Sequence, residues 1–151
     1  MKERERIKLR RKWIEADKNK CTGCRMCEVY CSLKHNKQIA NPYESRIRIK
    51  KNEITGQDVP NICRQCKGAP CAKACPVDAI LFNDITGAWV VNYEECTGCG
   101  LCVKACPFGS IYLDVSGKVA LKCDLCGGEI PACVDICPVD ALRLAGKGDT
   151  E

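Results

Sequence analysis

Residues 79–93, AILFNDITGAWVVNY, form two apolar arms around an Asn/Asp/Gly-rich centre. β-branched and aromatic arms flanking such a centre predict a β-hairpin. Residues 110–122, SIYLDVSGKVALK, repeat the pattern with the turn near Ser116-Gly117. The alternation in residues 46–51, RIRIKK, predicts a strand bounded upstream by the Asn41-Pro42 turn. Helical patterning is confined to single turns at EVYC, AKAC, VKAC and VDIC. Runs such as Ala88–Val91 are far shorter than the ~20 apolar residues that cross a bilayer, so no membrane insertion is expected. These elements predict a small, loop-rich α+β fold.

The apolar supply changes that picture. Apolar residues make up 46% of the 151, but sixteen of them are cysteine, and without these roughly 35% remain, with aromatics at 5%. Packing alone gives such a chain a thin core. Something bound by the cysteines has to complete it.

All sixteen cysteines fall into four groups. Group one is Cys21, Cys24, Cys27 and Cys31, spaced C-x2-C-x2-C-x3-C, and group three, Cys96, Cys99, Cys102 and Cys106, has the same spacing. Group two is Cys63, Cys66, Cys71 and Cys75, spaced C-x2-C-x4-C-x3-C. Group four is Cys123, Cys126, Cys133 and Cys137, spaced C-x2-C-x6-C-x3-C. Groups one and three open with CTGC. Three final cysteines precede proline (Pro76, Pro107, Pro138), in the rhyming words PVDAI, PFGSI and PVDAL. One small module has been used four times.

Disulfides, zinc and iron–sulfur clusters are the candidate chemistries. Residues 1–18 lack the apolar region of a secretory signal, and Arg10-Arg11 is followed by Trp-Ile-Glu-Ala-Asp rather than a twin-arginine signal's apolar run. A reducing cytoplasm is therefore expected, where disulfides are rare. Structural zinc sites pair two C-x2-C knuckles a dozen or more residues apart or mix Cys with His. Here each foursome spans 11 to 15 residues and His35 is the single histidine. The spacing fits [4Fe–4S] clusters. A tight C-x2-C-x2-C loop wraps three corners of a cube, and the fourth cysteine, three residues on, leaves on a helical turn toward a second cube. Proline after it fixes φ and directs the chain away. Four cubes then use every cysteine, and no separate metal site is expected. Groups two and three, 20 residues apart around one hairpin, resemble a two-cluster ferredoxin. Groups one and four would then form an outer pair around it, and spacing alone also permits a sequential exchange, one with two and three with four.

The four groups, in this order and with these loops over residues 18–145, resemble the iron–sulfur electron-transfer subunits of molybdenum and tungsten oxidoreductases, the dimethyl sulfoxide reductase-type family. Group four departs from many members, which have a longer loop between its second and third cysteines. The resemblance implies nested pairing of two bacterial-ferredoxin-like dicluster modules, an inner one over residues 60–115 and an outer one from groups one and four. The implied ligand sets are Cys21, Cys24, Cys27 with Cys137; Cys123, Cys126, Cys133 with Cys31; Cys63, Cys66, Cys71 with Cys106; and Cys96, Cys99, Cys102 with Cys75. Residues 1–17 would be a basic N-terminal segment and 146–151 a tail.

YCSLKHNKQIANPYESRIRI, residues 30–49, is similar to the polyferredoxin subunits of aldehyde:ferredoxin oxidoreductase-type tungsten enzymes, including class II benzoyl-CoA reductases of anaerobes. That likeness implies a separate catalytic subunit with a metal-pterin site, ferredoxin or further redox subunits as carriers, and an anaerobic host. A free-standing polyferredoxin and a subunit of another complex, such as a hydrogenase or formate dehydrogenase, are the competing readings.

Charge adds little to these partners. The net +5 resides in residues 1–12, with seven Lys/Arg against two Glu, and the remainder balances. A basic tip on a neutral body argues against nucleic acid, and four oxidised clusters at about −2 each would turn the total to about −3. No phosphate loop, Ser/His/Asp set or flavin fingerprint is present, so catalysis by this chain alone is not expected. Met26, Ile62, Leu101 and Leu125, between ligands, are expected to exclude water. Lys20, Arg25, Arg64, Lys67, Lys73, Lys104 and Lys122 lie near cysteines, where most would be solvated surface and some would raise cluster potentials. His35 reads as a surface or turn residue.

Overall fold

From the N-terminus, helix α1 (Glu3–Arg10) leads directly into strand β1 (Lys12–Ala16). Helix α2 (Met26–His35) carries the end of the first cysteine group, and β2 (Ile47–Lys50) returns as β3 (Val59–Ile62). Helix α3 (Pro70–Ala74) precedes the hairpin β4 (Ile80–Asn83) and β5 (Ala88–Val91). Helix α4 (Leu101–Ala105) precedes the hairpin β6 (Tyr112–Leu113) and β7 (Ala120–Leu121). Helix α5 (Ala132–Ile136) and strand β8 (Leu142–Gly146) end the described chain. This computed structural model describes residues 2–37 and 39–146; most of the tail expected at 146–151 lies outside the described residues.

The architecture is a small α+β fold whose four sheets each hold two antiparallel strands. Side-chain chemistry sets the turns. Asn83 accepts from Ile85 N and Thr86 N through Oδ1 at 2.9 and 3.3 Å, closing the β4–β5 turn. Asp114 does the same for Lys118 N and Val119 N at 2.7 and 3.0 Å in the β6–β7 turn. Such Asx contacts supply the turn without a long loop.

The topology is nested. Strand β1 pairs with β8, placing Ile14 opposite Leu144, and α2 packs on α5. Inside this frame α3 packs on α4. Residues 12–16, set apart by the sequence as part of a basic segment, are thus half of a sheet, and α1 buries Ile7. Two apolar clusters form around sulfur. One gathers Ile14, Ile47, Ile49 and Leu142 with Cys27, Cys31, Cys123 and Cys133. The other gathers Ile80, Val91, Ile111 and Ala120 with Cys71 and Cys102. Aliphatic burial of this kind contributes roughly 1.5–3 kcal/mol per large side chain. The cysteines occupy the centres that larger side chains fill elsewhere.

Candidate metal centres

Each cysteine group repeats one backbone device. The second residue between the first two cysteines has positive φ in all four: Gly23 at 69°, Gln65 at 48°, Gly98 at 68° and Leu125 at 54°. This left-handed residue turns the loop so that successive thiols face inward. Glycine takes it without penalty, whereas other residues carry a cost of roughly 1–2 kcal/mol. Gln65 and Leu125 offset that cost by burial, at 0% and 2% exposure.

The last cysteines share a second device. Helices α3, α4 and α5 each stop one residue before Cys75, Cys106 and Cys137, which adopt extended ψ of 116°, 114° and 113°. The following proline disfavours helical geometry at those positions. Two residues after it, Asp78, Gly109 and Asp140 have positive φ of 49°, 59° and 49°. The chain then turns so that Ala79 N, Ser110 N and Ala141 N donate to the preceding sulfurs at 3.2, 3.4 and 3.3 Å. Cys31 is followed by Ser32 instead, so α2 runs on to His35. Its sulfur accepts from Arg46 N at 3.3 Å, brought in by the start of β2.

Three cavities result. One is lined by Cys21, Cys24, Cys27 and Cys137, a second by Cys96, Cys99, Cys102 and Cys75, and a third by Cys63, Cys66, Cys71 and Cys106. Of the other four, Cys31, Cys123 and Cys133 are buried in one apolar cluster, which also holds Cys27 and Cys63. Burial raises all three of Cys123, Cys126 and Cys133, with further upward pushes from Cys133, Cys63 and Cys31 on Cys123, from Asp124 and Cys31 on Cys126, and from Cys31, Cys126 and Cys27 on Cys133. Burial, then Glu28, pushes the Cys27 thiol up to about 12, and burial pushes Cys71 up to about 11. Four thiolates in such an enclosure need a multiply charged cation among them. The iron core of a cube meets that need, and the repeated foursomes fit it.

Several residues around these sites depart from the sequence expectation or were not singled out by it. His35 is only 12% exposed in its side chain, not the surface residue expected. Its Nε2 lies 2.9 Å from Asp124 Oδ1, and its Nδ1 lies 2.9 Å from the Cys31 carbonyl and 3.8 Å from Cys31 Sγ. Burial opposes its charge, yet Asp124 and Cys31 lift it to about 9. Ser32 in place of proline was the available signal, since a continuing helix sets residue i+4 beside Cys31. Gln65 and Glu28 are buried, and Glu28 Oε1 accepts from Ile49 N at 2.6 Å. Of the four residues expected to exclude water, Ile62 and Leu125 are buried, while Met26 and Leu101 remain 37% and 43% exposed. Each begins its helix at a site's outer edge. Among the basic residues near cysteine, Lys122 is buried and the other six are exposed.

Residues 54–147 match the 4Fe-4S dicluster domain, and residues 18–34 match a 4Fe-4S binding domain. The chain belongs to the 4Fe-4S dicluster family. This ferredoxin-type chain is 48% identical over 136 residues to the polyferredoxin-like subunit of aliphatic sulfonate oxidoreductase from Pyrococcus furiosus, covering 87% of itself and 76% of that protein. It is 33% identical over 174 residues to formate hydrogenlyase subunit 2 of Escherichia coli, covering 91% and 83%. Among solved structures it is similar to a chain of the active-site complex BamBC of benzoyl coenzyme A reductase, with 29% identity, a TM-score of 0.54 and coverage of 89% and 77%. The ferredoxin-type chain carries multiple [4Fe–4S] clusters and transfers electrons. Among its described residues no helix is long and apolar enough to cross a membrane.

Proposed function

We propose that the chain is the electron-transfer subunit of a tungsten- or molybdenum-containing oxidoreductase, relaying single electrons through four [4Fe–4S] clusters to or from an external carrier. The observation that carries this reading is the sharing of each of three cavities by three cysteines of one group and the last cysteine of its nested partner. In this reading the inner module uses Cys63, Cys66, Cys71 with Cys106 and Cys96, Cys99, Cys102 with Cys75. The outer module uses Cys21, Cys24, Cys27 with Cys137 and Cys123, Cys126, Cys133 with Cys31. Each cluster, when bound, takes up and returns one electron.

The protein's own residues hold and tune these sites. Backbone N–H groups on Cys31, Cys75, Cys106 and Cys137 favour the more negative, reduced state, and Ile62 and Leu125 exclude water beside the ligands. No substrate chemistry is assigned to this chain; a catalytic subunit of the aldehyde:ferredoxin oxidoreductase type would supply it, with ferredoxin or further redox subunits beyond. The cytoplasm of an anaerobic host suits such a complex.

The likeness to formate hydrogenlyase subunit 2 favours a second reading, an electron-transfer subunit of a formate- or hydrogen-converting complex. Anaerobic native purification, with iron, sulfide, tungsten and molybdenum quantified and co-eluting chains identified, distinguishes them. Sixteen irons per chain and a tungsten- or molybdenum-bearing partner are expected, four irons for each of four sites. A lone 16.7 kDa species would defeat the subunit reading, and zinc or a large iron deficit would defeat the clusters.

A further inference from the structure

Lys122 heads the fully buried side chains by size, at 1% exposure. Its Nζ donates to Gln65 Oε1 at 3.0 Å and to the Trp89 carbonyl at 2.6 Å, both neutral acceptors. Among the described residues no carboxylate pairs with it. A buried ammonium without a counter-charge is strongly unfavourable, so a fold that keeps one has an anion to set beside it. Lys122 lines the cavity of Cys63, Cys66, Cys71 and Cys106.

The cation is held deliberately. Gln65 accepts from Lys122 and from Trp89 N at 2.8 Å, and its Nε2 donates to the Cys123 carbonyl at 2.7 Å. It does so from a left-handed backbone position that costs conformational energy. Beside Cys31 the sheltered cation is His35, but it is paired with the Asp124 carboxylate, and the other two cavities lack an unpaired buried cation. That of Cys75, Cys96, Cys99 and Cys102 has no charged lining residue besides its cysteines, and that of Cys21, Cys24, Cys27 and Cys137 has only Arg25, which is exposed and 3.9 Å from Glu28.

We propose that Lys122, positioned by Gln65, raises the reduction potential of the [4Fe–4S] cluster held by Cys63, Cys66, Cys71 and Cys106. The relay then has a resting place for the electron beside the junction of its two modules, where Gln65 joins Cys123. Reduction adds one electron there, a reduced neighbour in the relay loses it, and the fixed ammonium offsets the added charge without moving a proton. This inference rests on the four-cluster assignment above, which the iron content of the unaltered protein tests by itself.

The test is an EPR-monitored redox titration of the anaerobically purified protein and of Lys122→Gln, Lys122→Met and Lys122→Arg, with Cys66→Ser marking the signal of that site. In Lys122→Gln and Lys122→Met, the equilibrium constant for reducing that one cluster is expected to fall at least tenfold, about 59 mV for a one-electron couple. The other three are expected to change less than threefold, and Lys122→Arg to stay within threefold throughout. Neutral variants that lose iron from that site alone would mean a structural role and overturn the proposal. A fall in Lys122→Met without one in Lys122→Gln would mean a packing role and overturn it. So would a fall shared by all four clusters, a fall at a different cluster, no fall, or loss of all clusters.

Discussion

His35 Nε2 lies 2.9 Å from Asp124 Oδ1, tying the end of α2 to the cysteine loop 89 residues further along. The bond is charge-assisted and mostly sheltered, at 12% and 29% side-chain exposure. Such a bond contributes about 1.5–3 kcal/mol before discount for its partial exposure.

His35→Ala and Asp124→Ala are each therefore expected to lose about 1–2 kcal/mol, read as a five- to thirtyfold faster loss of cluster absorbance in guanidinium under anaerobic conditions. The double variant should cost clearly less than the sum of the two. Full additivity would mean that the pair contributes nothing as a pair.

The repeat and its chemistry were legible because ligand spacing is a local property. Cys75, Cys106 and Cys137 announce their helix ends through the next residue, and both hairpins announce themselves through Asn83 and Asp114. What escaped was long-range. KWIEA has no clear period, and only its partner LRLAG, 130 residues away, makes it a strand. Lys122 reads as one basic residue among seven near cysteine, until Gln65 and Trp89 enclose it. Met26 and Leu101 each start a helix at the rim just before a third cysteine, whereas Ile62 ends strand β3 ahead of its group and Leu125 lies inside its loop, so different local positions gave unequal burial.

Exchange of fourth ligands has a direct spectroscopic consequence. Cys106→Ser is expected to alter the same cluster signal as Cys66→Ser, whereas Cys102→Ser should alter the signal that Cys75→Ser does. The grouping follows the cavities rather than the order of cysteines along the chain. If Cys106→Ser and Cys102→Ser perturbed one common signal and spared that of Cys66→Ser, the nested assignment would be lost. EPR spectra of the reduced single variants make the comparison.

The outer sheet offers a contrast between burial and surface charge. Ile14 is 4% exposed in the apolar cluster with Cys27 and Cys31. Truncation there removes contacts and leaves a cavity, so Ile14→Ala is expected to cost about 2–4 kcal/mol in anaerobic unfolding. Arg143 and Glu15 form an ion pair on the same sheet, but both side chains are well exposed. Arg143→Ala should leave stability unchanged within error. Equal effects from the two variants would contradict the placement of β1 as part of the core.

Gly98 and Gly117 separate backbone strain from steric clash. Their φ values, 68° and 69°, are nearly identical. A Cβ on Gly98 would lie 2.5 Å from the Gly117 carbonyl oxygen and 2.6 Å from that of Lys118, whereas one on Gly117 would meet nothing within 4 Å. Left-handed strain alone costs roughly 1–2 kcal/mol, so Gly117→Ala should assemble its full iron content with a modest loss of stability. In Gly98→Ala the CTGC loop has to move away from the β6–β7 turn. That loop carries Cys96, whose sulfur accepts from Ala120 N at 3.4 Å, so the displacement pulls a ligand away from its donor. The expected result is a deficit of about four irons with the remaining clusters retained, measured by iron and sulfide analysis beside the Gly117→Ala control. Full iron in Gly98→Ala would show that the loop yields without cost, and the close approach would then have no bearing on the site.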